Sequence, residues 1–87
     1  MRVLIVDDSP VLRTLLHSVL QNAGMQVREA ESGEQALKIL ASYTPDIITM
    51  DVHMPGMDGY EATARILERH ALPVLVLTAS ANVRDAS

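Results

Sequence analysis

The stretch Val3-Leu4-Ile5-Val6-Asp7-Asp8-Ser9-Pro10 decides how the chain is read. Four consecutive aliphatic residues leave no polar face, as in a parallel strand covered on both sides, and two acids end the run. Ser9 is a good helix cap and Pro10 suits the first helical position. Leu12, Leu15, Leu16, Val19 and Leu20 then recur at steps of three and four, which predicts a helix stopped by Asn22-Ala23-Gly24.

The pattern returns further along. Ile47-Ile48-Thr49-Met50 closes on Asp51, and after Pro73 the run Val74-Leu75-Val76-Leu77 enters the small polar set Thr78-Ala79-Ser80. Met25 to Ala30 alternates apolar and polar residues, which predicts a shorter, half-exposed edge strand. Ser32-Gly33-Glu34-Gln35 has the form of a capping box, and Ala36, Leu37, Ile39 and Leu40 supply an apolar stripe for a second helix reaching Ser42. Asp58 with Glu61 caps a third, through Ala62, Ile66 and Leu67. Tyr43 and Tyr60 are expected to cover core edges, and Asn82 to Ser87 is too short to assign. The resulting β-α-β-α-β-α-β alternation implies right-handed crossovers, an α/β fold and a doubly wound parallel sheet, with its ligand crevice at the C-terminal strand ends.

Composition limits the function. With 87 residues, 48% of them hydrophobic, 21% charged and none cysteine, the chain describes one globular domain with neither a second core nor a disulfide framework. No apolar run is long enough for a membrane span, and Val3 to Val6 meets Asp7 too early for a secretory signal, so the expected location is cytoplasmic. A net charge of −4, a pI near 5.1 and the absence of Phe and Trp argue against a direct grip on nucleic acid.

Chemistry collects at the strand ends: Asp7 and Asp8 after the first, Asp51 after the third, Thr78 after the fourth. Carboxylates crowded into a partly buried crevice require a cation or a proton, and a hard divalent ion such as Mg²⁺ or Mn²⁺ suits oxygen donors. An aspartate beside such an ion can act as a nucleophile towards phosphorus, which selects Asp51, and Thr78 offers a hydroxyl to an incoming phosphoryl oxygen. His17, His53 and His70 lack metal-ligand spacing and are read as helix-surface or loop residues.

Three separated motifs, Leu4-Ile5-Val6-Asp7-Asp8-Ser9, Asp51-Val52-His53-Met54-Pro55-Gly56-Met57-Asp58-Gly59 and Val76-Leu77-Thr78-Ala79-Ser80, occur in the order and spacing of a known family. Together they resemble the receiver domain of two-component response regulators, and within it the receivers of chemotaxis methylesterases. The resemblance implies a flavodoxin-like sheet of order 2-1-3-4, incomplete because a fifth strand would follow. It implies Asp51 as phosphoacceptor, Asp7 and Asp8 as the acidic pair holding Mg²⁺, Thr78 as switch hydroxyl, and His53 as donor of a backbone carbonyl to the metal. Pro55 and Gly59 would shape the adjoining loop.

The family also uses a lysine after a fifth strand and an aromatic residue on it. Lys38, the only lysine, falls in the second helix, so residues 1–87 are expected to be a single truncated receiver domain. The implied partners are a histidine kinase and an effector domain or protein, in a signalling role, not as an enzyme. Val74 to Leu77 would form a bare edge and favour a homo-oligomer. Two alternatives stay open: a phosphate-independent dimerisation module, and a phosphohydrolase of the haloacid dehalogenase type. The second is disfavoured because its Asp-x-Asp motif is absent from the first strand end.

Overall fold

Every residue from Val3 to Val6 is at most 2% exposed, so β1 (Arg2–Val6) is the interior strand its composition predicts. In the computed structural model, which describes residues 1–78, it lies between β2 (Gln26–Ala30) and β3 (Ile47–Asp51), and β4 (Val74–Leu77) flanks β3. All three pairings are parallel and the sheet order is β2-β1-β3-β4, as expected. Helices α1 (Pro10–Asn22), α2 (Gly33–Leu40) and α3 (Gly59–Leu67) make the crossovers. Expectations concerning Ala79, Ser80 and residues 82–87 lie outside the described residues.

The two sheet faces are packed unequally. Leu4, Val6, Ala30, Ile48 and Met50 meet Ala36 and Leu40 of α2 and Ala62 and Ile66 of α3 in one buried cluster. Fully burying a side chain such as Leu4 or Ile66 is worth about 1.5–3 kcal/mol, which makes this face the main source of apolar stabilisation. Helix α1 packs against β1 and β2 without burying any of its residues completely. Its predicted stripe splits: Leu16 and Leu20 are half-buried, whereas Leu12, Leu15 and Val19 are exposed.

Local signals set the helix ends. The Ser9 hydroxyl accepts the Leu12 N–H at 3.3 Å, and Gly24, at φ 90°, closes α1. There Gly24 N–H donates to the Gln21 carbonyl and Met25 N–H to that of Leu20, satisfying carbonyls of the last turn. Ser32 accepts the Gln35 N–H at 3.1 Å, while the Gln35 side chain reaches back to the Glu31 N–H at 2.6 Å, one residue before the cap. Asp58 accepts the Glu61 N–H at 2.8 Å.

The tyrosines divide. Tyr43 lies under the guanidinium groups of Arg28, at 4.1 Å from the ring centre, and Arg2, at 5.5 Å, a cation–π arrangement on the flank of the sheet. Tyr60 is 61% exposed on α3 and covers no core edge, because the buried positions of that helix are Gly59, Ala62 and Ile66. Among the described residues no helix is long and apolar enough to cross a membrane.

Thr49 is the polar exception inside the sheet. It pairs with Ile5 on one side and Leu75 on the other, and its buried hydroxyl has no hydrogen-bond partner. Valine keeps the branched shape and removes the stranded group, so Thr49→Val should raise stability by about 1 kcal/mol. Urea unfolding checks this, and a loss of stability would show that the hydroxyl is satisfied.

Candidate metal centre

Strand register delivers the acids. β1 and β3 pair with Val6 beside Met50, so the next residues, Asp7 and Asp51, emerge side by side at the C-terminal edge. One carboxylate oxygen from each of Asp7, Asp8 and Asp51 lies within 4.8 Å of the others. Asp7 is 5% exposed, Asp51 half-buried and Asp8 exposed, so the cluster opens outward on one side. Asp7 accepts the Ser9 N–H at 2.9 Å and Asp51 accepts the His53 N–H at 3.2 Å; each acid thereby organises the turn that follows it.

The electrostatics are those of crowded like charges. Burial raises the Asp51 carboxyl above its ordinary range of about 3.8, and the charges of Asp7 and Asp8 push in the same direction. The His53 N–H opposes them without cancelling the shift. Three hard oxygen donors with an open side fit Mg²⁺ or Mn²⁺, which take few protein ligands and keep several waters. Softer metals have no thiol to bind, since the chain contains no cysteine.

The loop from Asp51 to α3 is shaped by contacts that leave no space for side chains. Gly59 N–H donates to the Val52 carbonyl at 3.0 Å. A Cβ on Gly59 would sit 2.8 Å from the Val52 Cα and closer still to the Asp51 carbonyl oxygen, so only glycine lets α3 begin against the strand end. Gly56 supplies the turn with a φ of 77°. Met54 is buried in the core, and the Met57 sulfur would lie 2.9 Å from a Cβ on Gly33, so both methionines serve loop packing.

Asp7, Asp8 and Asp51 are thus brought together, as expected. Thr78 follows Leu77, the β4 residue paired with Asp51, and is half-buried. His53 is exposed and meets Asp51 through its N–H. Lys38 lies exposed on α2, as anticipated. Sequence reasoning missed Arg13, Glu29 and His17: Arg13 Nη1 donates to the Asp7 carbonyl oxygen at 2.7 Å and Nε to Glu29 at 3.1 Å. His17 Nδ1 lies 2.6 Å from the other Glu29 oxygen, which pairs it across to β2 beyond the helix-surface role expected. The signal was the four-residue spacing of Arg13 and His17, which sets both on one side of α1.

Comparison with known proteins bears on the fold and the family. A family model described as response regulator receiver domain matches residues 3–87. The chain is 53% identical, over 99% of its length, to protein-glutamate methylesterase/protein-glutamine glutaminase 3 of Hahella chejuensis, and spans 25% of that protein. The response regulator TrrA of Thermotoga maritima, solved in complex with Mg(2+)-BeF, is similar with a TM-score of 0.86 and 38% identity, covering 97% of this chain and 74% of its own. TrrA in complex with the histidine kinase ThkA matches equally well, again at TM-score 0.86 and 38% identity, covering 95% and 72%.

Two outcomes follow from the geometry. Because its folded-state pKa is raised, Asp51 contributes stability at low pH that is lost as pH climbs through that value. In EDTA, Asp51→Asn should therefore melt higher than the parent chain near pH 7, and the gap should close as pH falls towards 4. Thermal unfolding at several pH values checks this; a constant gap would mean that charge crowding is not its source. Gly59→Ala should cost about 2 kcal/mol through overpacking, read by urea unfolding. An unchanged midpoint would show that α3 can start elsewhere.

Proposed function

Because the chain belongs to the response regulator receiver domain family, we propose that it is a phosphorylation-dependent switch in which Asp51 accepts a phosphoryl group from a histidine kinase. The observation that carries this reading is the convergence of Asp7, Asp8 and Asp51 within 4.8 Å at adjacent strand ends. In this proposal Asp7, Asp8 and Asp51, with the backbone carbonyl of His53, hold Mg²⁺ or Mn²⁺. The bound ion supplies positive charge that offsets the phosphoryl oxygens.

The chain's own groups have distinct tasks. Asp51 offers a carboxylate oxygen as nucleophile; a bond to phosphorus forms as the bond to the donor nitrogen breaks, and the leaving imidazole takes a proton. The His53 N–H on the carboxylate of Asp51 steadies its orientation. Thr78, next to the strand partner of Asp51, supplies a hydroxyl to a phosphoryl oxygen. Support for the kinase as partner comes from the TrrA–ThkA complex, and support for Mg²⁺ from TrrA with Mg(2+)-BeF.

The chain spans about a quarter of its curated methylesterase relative and about three quarters of the solved TrrA chain. We read residues 1–87 as receiver-domain sequence that controls an effector, with a protein-glutamate methylesterase as the output suggested by the 53% identity.

In a chain carrying a whole receiver domain, incubation with acetyl phosphate and Mg²⁺ should place a hydroxylamine-sensitive phosphoryl group, located by mass spectrometry; residues 1–87, whose only lysine is Lys38 on α2, should hold little stable product. In the whole domain Asp51→Asn should abolish the label completely, whereas Asp58→Asn, at the cap of α3, should not. Persistent labelling of Asp51→Asn, or an acid-stable label on another residue, would overturn the assignment.

A further inference from the structure

Arg13 is held at two nitrogens of its guanidinium group. Its side chain is 14% exposed, with Nε on Glu29 at 3.1 Å and Nη1 on the main-chain oxygen of Asp7 at 2.7 Å. Glu29 is gripped a second time by His17, one turn further along α1, at 2.6 Å. Those contacts, His17 foremost, hold the Glu29 carboxyl below its ordinary range, so it remains an anion facing Arg13. A helix, the end of β1 and the edge strand β2 are joined through one cation.

The atom that Arg13 holds matters for the site. The Asp7 carbonyl belongs to the peptide between Asp7 and Asp8, and rotation of that peptide turns both residues at once. On its other side the Asp7 N–H donates to the Ala30 carbonyl at 3.1 Å. The main chain of Asp7 is therefore fixed from β2 through its N–H and from α1 through its oxygen. Its side chain is fixed in turn by the Ser9 N–H. Nothing in this set touches the carboxylate of Asp51.

We propose that Arg13, anchored by Glu29, is a positioning residue for the acidic centre: by holding the Asp7 carbonyl it sets the Asp7-Asp8 peptide plane, and thereby the placement of both carboxylates against Asp51. This rests on the reading of Asp7, Asp8 and Asp51 as a cation site. Arginine is required because one planar fork serves two partners in fixed directions, which a single ammonium point does not do.

Mn²⁺ titration of the chain, followed by paramagnetic broadening near Asp51, is compared for the parent, Arg13→Ala, Arg13→Lys and the exposed control Thr14→Ala. Arg13→Ala should weaken Mn²⁺ binding about tenfold, as loss of an outer-shell partner does. Arg13→Lys should recover little of it, and Thr14→Ala should match the parent. In EDTA the Ser9 amide should exchange about fivefold faster in both Arg13 variants, while that of Ile48 in β3 stays protected. Parent-like Mn²⁺ affinity in either folded Arg13 variant, or full recovery by lysine, would overturn the proposal. Should the parent chain itself show no broadening, the cation reading fails, and Ser9 exchange alone decides: faster exchange upholds the role of Arg13 and unchanged exchange refutes it. If Arg13→Ala does not fold, Arg13→Lys carries the same comparisons.

Discussion

The register of β1 against β3 is the constraint on which the rest of the molecule depends. With Val6 beside Met50, both strands run out at the same level, and the next residue of each is an aspartate. Parallel pairing forces these like charges into proximity, and the hydrophobic burial of Val3 to Val6 prevents relief by sliding. A slip of one residue would turn Leu4 and Val6 away from the core cluster. Electrostatic strain at the edge is thus sustained by apolar packing beneath it, and burial raises the Asp51 carboxyl more than its neighbours' charges do.

The two faces of the sheet divide the work. Beneath the α2–α3 face lies the apolar cluster that fixes the strands, with Gly33 and Gly59 admitting close helix approach. On the other face, α1 contributes polar fastening: Ser9 at its start, then Arg13 and His17 directed at Glu29 and the Asp7 carbonyl. That difference accounts for a helix without a fully buried residue that nevertheless reaches the acidic centre.

Much of this was legible in the residues. Val3 to Val6, Ile47 to Met50 and the alternation of Met25 to Ala30 read as central and edge strands because burial on two faces and on one face leaves different periodicities. Asp7, Asp8 and Asp51 were legible because apolar runs ended on them. The Arg13–Glu29–His17 group was not: its members are separated by up to 16 residues, and no local pattern encodes which helix turn will face which strand position. Tyr60 was misplaced for a related reason, since an aromatic residue one position after a buried glycine turns with the helix and faces out.

The seat of α3 on the strand end has a mechanical consequence. With its first residue in contact with the backbone of Asp51 and Val52, the helix has no slack at that end, so a displacement of the strand end would have to turn the helix as a whole. Its nine residues span about 13 Å, and a tilt of about 5° would carry the far end by about 1 Å. At that far end stand Arg65, Glu68 and Arg69, lining a cavity of about 530 Å³ against Leu37, Leu40 and Ala41 of the α2 end. In such a displacement Gly59 would be the pivot, and the far end of α3 would move most.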